Sequence, residues 1–262
     1  MRKGGQKSAG VSKKIQSILI SQPKPDTEKS PYFDLARKFN VKLDFFPFIR
    51  VEGVPSREFR KQRIDVATFS AIIFTSRNAV DHFFRICEEM KVKISQECKY
   101  FCITESVALY LQKFILYRKR KVFFGADGST RSLLDVIGKH KEGEKFLLPC
   151  SDIQKNDIQN FLKAAKCEFA TATLYKTICI DIRSILDGDP YDMILFFSPS
   201  GVKSLFENFP KFKQNGTFIG AFGPTTSKAI EEAGLRLDLK APLPEAPSMV
   251  AALEIYLGKI NR

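Results

Sequence analysis

The stretch ILFFSPSGV, residues 194–202, indicates how this chain folds. Four apolar residues bounded by small turn-forming residues are typical of a strand that is buried on both faces. After Ser198, apolar residues recur at helical spacing, which predicts a helix that begins directly after the strand. Such a junction leaves backbone N–H groups at the carboxyl end of the strand, where anions bind.

Short apolar stretches of this kind alternate with helical patterns along the whole chain. The predicted strands are residues 18–21, 71–75, 100–103, 121–124, 146–149, 194–197, 217–222 and 235–239. Two longer stretches, 43–51 and 169–180, are rich in β-forming residues and are predicted to be ribbons. The alternation predicts the α/β class, with doubly wound parallel sheets that are covered by helices on both faces.

The junction occurs more than once, in a pattern that indicates a permuted duplication. Residues 72–80 align with residues 194–202 at an offset of 122, and residues 101–108 align with 220–227 at a slightly smaller offset. Residues 146–150 resemble residues 18–22, out of order with the other two pairs. Chance similarity between α/β domains is the alternative, but the common offsets favour true duplication.

The duplication predicts two like domains. One is continuous, residues 52–168, and the other is split between residues 15–42 and 181–262. The ribbons 43–51 and 169–180 are the only connections, and we expect them to pair as a two-stranded β-ladder hinge. Residues 1–14 are predicted to be a disordered basic tail, with an organelle transit peptide as the alternative.

Composition excludes several classes of protein. No apolar run approaches the roughly 20 residues of a membrane-spanning helix. The six cysteines are scattered without zinc spacing, as expected of reduced cytosolic thiols. Two histidines and no GxSxG motif make a Ser-His-Asp site improbable, and no glycine-rich nucleotide cradle is present.

The formal net charge of +13 points to a polyanionic partner. Such an excess attracts nucleic acid, an anionic membrane or a polyanionic small molecule. A solvated basic surface without a partner is the alternative.

Loops at the predicted carboxyl ends of the strands carry hydroxyl and amide side chains, which suit carboxylates or phosphates. They are Thr75, Ser76, Asn78, Ser106, Ser129, Ser151, Ser198, Ser200, Thr225, Thr226 and Ser248. Each could be only a helix N-cap, but their recurrence in two domains favours a shared ligand cleft. Tyr175, on the second ribbon, could donate a proton to a leaving hydroxyl or simply pack on the hinge.

Four stretches resemble motifs of the uroporphyrinogen-III synthase family. They are residues 194–202 (ILFFSPSGV), 222–229 (FGPTTSKA), 74–80 (FTSRNAV) and 174–177 (LYKT), and the resemblance extends from Ile18 to Leu257. It implies two flavodoxin-like domains joined by a β-ladder, with the active site in the cleft. This chain departs from the family's pattern at Thr104 and Val107, where Gly and Thr are usual.

The resemblance implies a cyclising lyase. Its substrate would be hydroxymethylbilane, a linear tetrapyrrole with many carboxylates, which loses water and closes with ring D inverted. It implies no metal and no organic cofactor. We expect a cytoplasmic monomer that binds neither nucleic acid nor membrane, with the preceding pathway enzyme as a candidate partner.

The resemblance also implies roles for individual residues. Tyr175 would assist departure of the hydroxyl group. The implied substrate-binding residues are Thr75, Ser76, Arg77, Asn78, Thr104, Ser106, Ser151, Ser198, Pro199, Ser200, Gly201, Gly223, Thr225 and Thr226. The alternative function is a non-catalytic two-domain hinge protein that binds an anionic ligand or nucleic acid.

Overall fold

A computed structural model describes residues 14–261 of the chain. Apart from Lys14, the predicted disordered tail therefore lies outside the described residues. The chain divides into two compact units. The split unit runs up to Arg50 and resumes at Cys179, and the central unit is Val51–Ile178.

The strands follow the predicted order. They are β1 (Ser17–Ile20), β2 (Lys42–Phe45), β3 (Ile49–Gly53), β4 (Ala71–Phe74), β5 (Lys99–Cys102), β6 (Val122–Phe124), β7 (Lys145–Ser151), β8 (Glu168–Cys179), β9 (Met193–Phe196), β10 (Phe218–Phe222) and β11 (Leu239–Ala241). The last of these begins where the sequence predicted a strand to end, at Leu239. The Asp238 N–H donates to the Ile219 carbonyl oxygen of β10, and the Arg236 guanidinium contacts the Asp238 carboxylate just before the strand.

The helices lie between the strands. They are α1 (Pro31–Phe39), α2 (Ser56–Phe59), α3 (Arg77–Glu89), α4 (Glu105–Tyr110), α5 (Thr130–His140), α6 (Asp157–Ala164), α7 (Arg183–Leu186), α8 (Pro199–Asn208), α9 (Pro224–Glu232) and α10 (Met249–Ile260). The helix predicted from Ser56 is a single turn that continues as a 3-10 turn and ends at Arg63, whose backbone is left-handed.

The split unit contains a five-stranded sheet in the order β11-β10-β9-β1-β2, and its neighbouring strands are parallel. Counted along this unit, the order is 2-1-3-4-5, the doubly wound flavodoxin-like order. In such sheets ligands bind outside the carboxyl ends of the strands at the switch point, here between β1 and β9.

The central unit contains a six-stranded sheet in the order β3-β8-β7-β4-β5-β6. Its five strands from β8 to β6 are paired in parallel and repeat the order of the split unit when the chain is read from β7. The predicted α/β class with parallel sheets is thus confirmed, and the strand order agrees with a permuted duplication. The switch point of this sheet lies between β7 and β4.

The predicted ribbons differ from the expectation in one respect. Residues 43–51 divide into β2 and β3 around Pro47, because proline cannot donate a backbone hydrogen bond. β2 lies at the edge of one sheet, whereas β3 lies at the edge of the other beside β8. β8 itself pairs with β7 from Glu168 to Tyr175. A hinge role for β3 and β8 stays a prediction.

Both faces of each sheet are buried, as the apolar runs predicted. In β9, Ile194 and Phe196 lie in one hydrophobic cluster and Met193 and Leu195 lie in another. In the part of the chain that the structure describes, no helix is long and apolar enough to cross a membrane.

Candidate functional site

In the split unit, the turn after β9 places Ser198 at the start of α8. The Ser198 Oγ accepts a hydrogen bond from the Gly201 N–H at 3.1 Å, so Ser198 is a helix N-cap. Pro199 and Ser200 form the first turn, with Pro199 exposed, and Gly201 is buried. The structure shows the first of the two roles left open by the sequence, since the Ser198 oxygen caps the helix. Ser198 also lies at the switch point, and its role in ligand binding stays a prediction.

The turn after β10 contains Gly223, directly before α9, because the backbone there adopts a conformation that favours glycine. Gly223 has φ 90° and ψ 150°, a region that side-chain-bearing residues rarely adopt. Its N–H donates to the Ala241 carbonyl oxygen at 2.6 Å. Thr225 is exposed at the start of α9, whereas Thr226 is only 1% exposed. Thr225 is therefore the more accessible of the two predicted threonines.

Ser21, directly after β1, lies beside the first turn of α8 and was not among the predicted site residues. It is 7% exposed, and its Oγ has no hydrogen-bond partner in the structure. The sequence contains a signal for this position, because Ser21 comes just after the end of a strand, as Ser198 does. Ser21 directly follows the last residue of β1, and Ser198 comes two residues after Phe196, the last residue of β9. Its lack of a partner is visible only in three dimensions.

In the central unit, the structure joins two of the predicted residues directly. The Ser76 Oγ and the Tyr175 Oη are 3.2 Å apart, a distance at which either hydroxyl can donate. The Ser76 Oγ also accepts the Ala79 N–H at 3.1 Å, which caps α3. The chain separates the two residues by 99 positions, so the register of β8 against β7 creates this pair.

The surroundings of Tyr175 combine packing with a polar end. The side chain is 8% exposed, and its ring stacks on His82 with the centroids 5.1 Å apart. Burial raises the pKa of the Tyr175 phenol, and the hydrogen bond from Ser76 opposes this shift. The phenol therefore keeps its proton at neutral pH. The ring therefore packs as one interpretation expected, while a role of the hydroxyl group as a proton donor stays a prediction.

A pocket of about 220 Å³ lies at the switch point of the central sheet. Thr75, after β4, and Ser151, at the end of β7, line it together with Tyr175. The Ser151 hydroxyl is engaged locally, since it donates to the Ile153 carbonyl oxygen at 2.5 Å and accepts the Ile153 N–H. Besides Ser151, the hydroxyl-bearing residues of this pocket are Tyr175, Thr75 and Thr130, and a ligand would address these three first.

The other predicted residues of the central unit lie at two helix starts. Arg77 and Asn78 are exposed in the first turn of α3, and the Arg77 guanidinium lies 5.3 Å from the Tyr110 ring centroid. The Thr104 Oγ1 caps α4 and lies 3.0 Å from the Ser106 Oγ. These four side chains are not among those lining the pocket that contains Tyr175.

A second cavity of about 390 Å³ in the central unit lies away from these residues. Cys98 and Tyr100, around the start of β5, are among its lining residues, so it is at the amino ends of the strands. Burial raises the pKa of the Cys98 thiol to about 12, so the thiol is protonated and unreactive at neutral pH. Residues 14–261 contain no cluster of three or more His, Cys, Asp or Glu side chains that could hold a metal ion.

The stacked His82 makes stability depend on pH. Burial lowers the pKa of the His82 imidazole, the Arg85 positive charge lowers it further, and Asp81 partly opposes them. A histidine in the unfolded chain titrates near pH 6.5, whereas His82 in the folded protein titrates at a lower pH. Between these two values the unfolded state binds more protons than the folded state, so the free energy of unfolding falls as the pH falls through the lowered pKa. We expect the free energy of unfolding to fall between about pH 7 and pH 5, and His82→Gln to remove part of that fall.

Urea denaturation across this pH range measures the effect. His140→Gln is the matched control, because His140 is the other histidine of the chain and stacks on Phe123 instead. Parallel pH profiles for the wild-type protein and His82→Gln would contradict the expectation.

Comparisons with known proteins point to a single family. A family model described as Uroporphyrinogen-III synthase HemD matches residues 31–251. The uroporphyrinogen-III synthase of Chlorobaculum parvum is 22% identical over 251 residues, which cover 91% of this chain and 98% of the relative.

Two solved structures show the same fold. The structure of uroporphyrinogen-III synthetase from Helicobacter pylori matches with a TM-score of 0.61 and 19% identity, covering 94% of this chain and 100% of that one. A mutant uroporphyrinogen III synthase from Thermus thermophilus matches with a TM-score of 0.59 and 18% identity, covering 93% and 99%. Since the family model matches most of the length of this chain, the chain belongs to the uroporphyrinogen-III synthase family.

Proposed function

We propose that this chain closes hydroxymethylbilane to uroporphyrinogen III, with loss of water and inversion of ring D, in tetrapyrrole biosynthesis. The observation that carries the proposal is the Tyr175 hydroxyl, which meets Ser76 at 3.2 Å beside a pocket at the switch point of a doubly wound sheet. Membership of the family supports the reaction, and the geometry supports Tyr175 as its proton donor.

Tyr175 would donate the proton that converts the departing hydroxyl group into water. Its phenol carries that proton at neutral pH, and the hydrogen bond with Ser76 opposes the rise in its pKa that burial causes, which would ease the transfer. The Ser76 Oγ already accepts the Ala79 N–H, so its own proton is available for the Tyr175 oxygen. With Ser76 as donor, the phenolic proton is left free to reach the substrate.

The remaining residues would hold the substrate instead of reacting with it. The starts of α3, α8 and α9 present hydroxyl groups and backbone N–H groups, which suit carboxylates. The net charge of +13 would draw a polycarboxylate to the protein. Holding a flexible chain in one reactive conformation can supply much of the rate of a ring closure.

The proposal includes the setting of the reaction. We propose that the chain acts as a cytoplasmic monomer, that it receives hydroxymethylbilane from the preceding enzyme of the pathway, and that neither nucleic acid nor membrane takes part. Size-exclusion chromatography with light scattering tests the monomer, because a dimer would double the measured mass.

The alternative, a non-catalytic binder of nucleic acid, is disfavoured by the position of the aromatic residues. Single-strand binders stack bases on exposed aromatic side chains. Among residues 14–261, Phe114 is the one aromatic side chain among the exposed large hydrophobic residues. Phe33 lies edge-on against Phe45, and the other phenylalanines contribute to the cores or pack against them.

Consumption of freshly prepared hydroxymethylbilane tests the proposal. We expect the protein to remove the substrate faster than it cyclises spontaneously, with heat-denatured protein as the control. A rate equal to the spontaneous rate would contradict the proposal. Salt-dependent binding to random oligonucleotides would then support the alternative.

A further inference from the structure

The Ser21 hydroxyl group is buried without a partner at the place where the split sheet would bind a ligand. Ser21 follows β1, and β1 and β9 flank the switch point of this sheet. The Ser21 N–H donates to the Leu195 carbonyl oxygen at 3.0 Å, which fixes the residue at the end of the strand. Its Oγ, by contrast, has no hydrogen-bond partner.

Leaving a buried hydroxyl group unpaired is costly, because its hydrogen bonds to water are lost and not replaced. Among buried serine side chains of this unit, Ser204 shows the usual solution: its Oγ donates to the Phe48 carbonyl oxygen at 2.6 Å. The contrast indicates that a hydrogen-bond partner from outside the protein would stabilise the Ser21 hydroxyl group.

The first turn of α8 lies beside the Ser21 hydroxyl group. A Cβ atom built on Gly201, in that turn, would be 3.8 Å from the Ser21 Oγ. α8 has ten residues, and the N–H groups of its first turn lack an acceptor one turn earlier in the helix. The Gly201 N–H donates to the Ser198 Oγ, and Pro199 has no N–H group. The Ser200 N–H is therefore the one in this turn that could donate to a ligand.

We propose that Ser21 and the N-terminus of α8 form a carboxylate-binding niche, in which the Ser21 O–H and the Ser200 N–H donate to one carboxylate group of the substrate. The identification of that carboxylate with hydroxymethylbilane rests on the proposed function. The niche itself rests on the unpartnered hydroxyl and the helix end. Two donors beside the positive end of a helix dipole favour a small anion over a neutral group.

Gly201 leaves room for one methyl group beside the Ser21 hydroxyl group. A Cβ atom at this position would lie 3.6 Å from the Phe196 Cδ1 and the Ser198 Oγ, which is ordinary van der Waals contact. Alanine therefore fits the fold without strain, but its methyl group would occupy the space next to the Ser21 hydroxyl. Gly201→Ala should consequently block the niche without unfolding the protein.

Two variants and one matched control test the niche. Ser21→Ala removes an unpaired hydroxyl, so we expect its thermal midpoint to be equal to that of the wild-type protein or higher by about 2–4 °C. We expect the KM for hydroxymethylbilane to rise about tenfold, with kcat nearly unchanged, in both Ser21→Ala and Gly201→Ala. Ser204→Ala, which removes a satisfied hydroxyl from α8, should lower the thermal midpoint and leave KM unchanged.

Glutarate provides a readout that does not depend on turnover. At high millimolar concentration it should raise the thermal midpoint of the wild-type protein and of Ser204→Ala, but not that of Ser21→Ala or Gly201→Ala. If the wild-type protein fails to turn over hydroxymethylbilane, this difference alone decides whether the niche binds carboxylates. A failure of the proposed function is thereby separated from a failure of the niche.

Three results would overturn the niche. The first is a thermal midpoint of Ser21→Ala as low as that of Ser204→Ala, because the hydroxyl would then have a structural partner. The second is an unchanged KM in both niche variants of an active protein. The third is equal protection of all four proteins by glutarate, or of none.

Discussion

Replacing Tyr175 with phenylalanine lowers kcat by about 100-fold in our account, while KM changes little. The variant removes only the hydroxyl group that is 3.2 Å from the Ser76 Oγ. The stacking on His82 and the burial of the ring are kept, so the fold should not change. Steady-state kinetics with hydroxymethylbilane measure the effect, because they separate a loss in kcat from a rise in KM.

Tyr100→Phe is the matched control for this variant. Tyr100 is also a buried tyrosine of the central unit whose burial raises its pKa, but it lines the cavity at the amino ends of the strands. We expect Tyr100→Phe to keep its kcat. A Tyr175→Phe variant as active as the wild-type protein would show that the phenol only packs.

Phe196→Ala is expected to reduce the free energy of unfolding by about 3–5 kcal/mol. The Phe196 side chain is fully buried and meets Phe48 edge-on, with the ring centroids 5.7 Å apart. It also lies against Val202 and Leu205 in one cluster, and so joins β9 to α8. Removing the ring leaves a cavity at the base of the turn that starts α8. The expected loss is a large share of the free energy of unfolding of an ordinary domain.

Urea denaturation followed by circular dichroism measures this loss. Phe206→Ala is the control, because Phe206 lies on α8, the helix that Phe196 packs against, but is only partly buried at the margin of the cluster. We expect Phe206→Ala to reduce the free energy of unfolding markedly less than Phe196→Ala does. Equal losses in the two variants would contradict the view that Phe196 anchors the turn.

Local signals in the sequence were sufficient for the strand-to-helix junctions. Ser76 and Ser198 each follow an apolar strand and precede an amphipathic helix, and both cap their helices as predicted. The permuted repeat predicted which strands correspond, because strand order follows from chain order in doubly wound sheets. Residues 43–51 were predicted less well, since the division into β2 and β3 depends on which sheet each half joins.

Contacts between distant parts of the chain could not be predicted. The pairing of Tyr175 with Ser76 and the stacking on His82 follow from the register of β8, which no local pattern reveals. Likewise, Ser21 is an ordinary residue at the end of a strand in the sequence. Its significance comes from the absence of a partner for its Oγ in the folded chain.

The isomer of the macrocycle formed from hydroxymethylbilane tests the central claim most directly. Spontaneous closure gives the isomer I macrocycle, whereas the enzymatic reaction inverts ring D. After incubation with the wild-type protein, oxidation and chromatographic separation, we predict that isomer III is the main product. Isomer I alone would contradict the account.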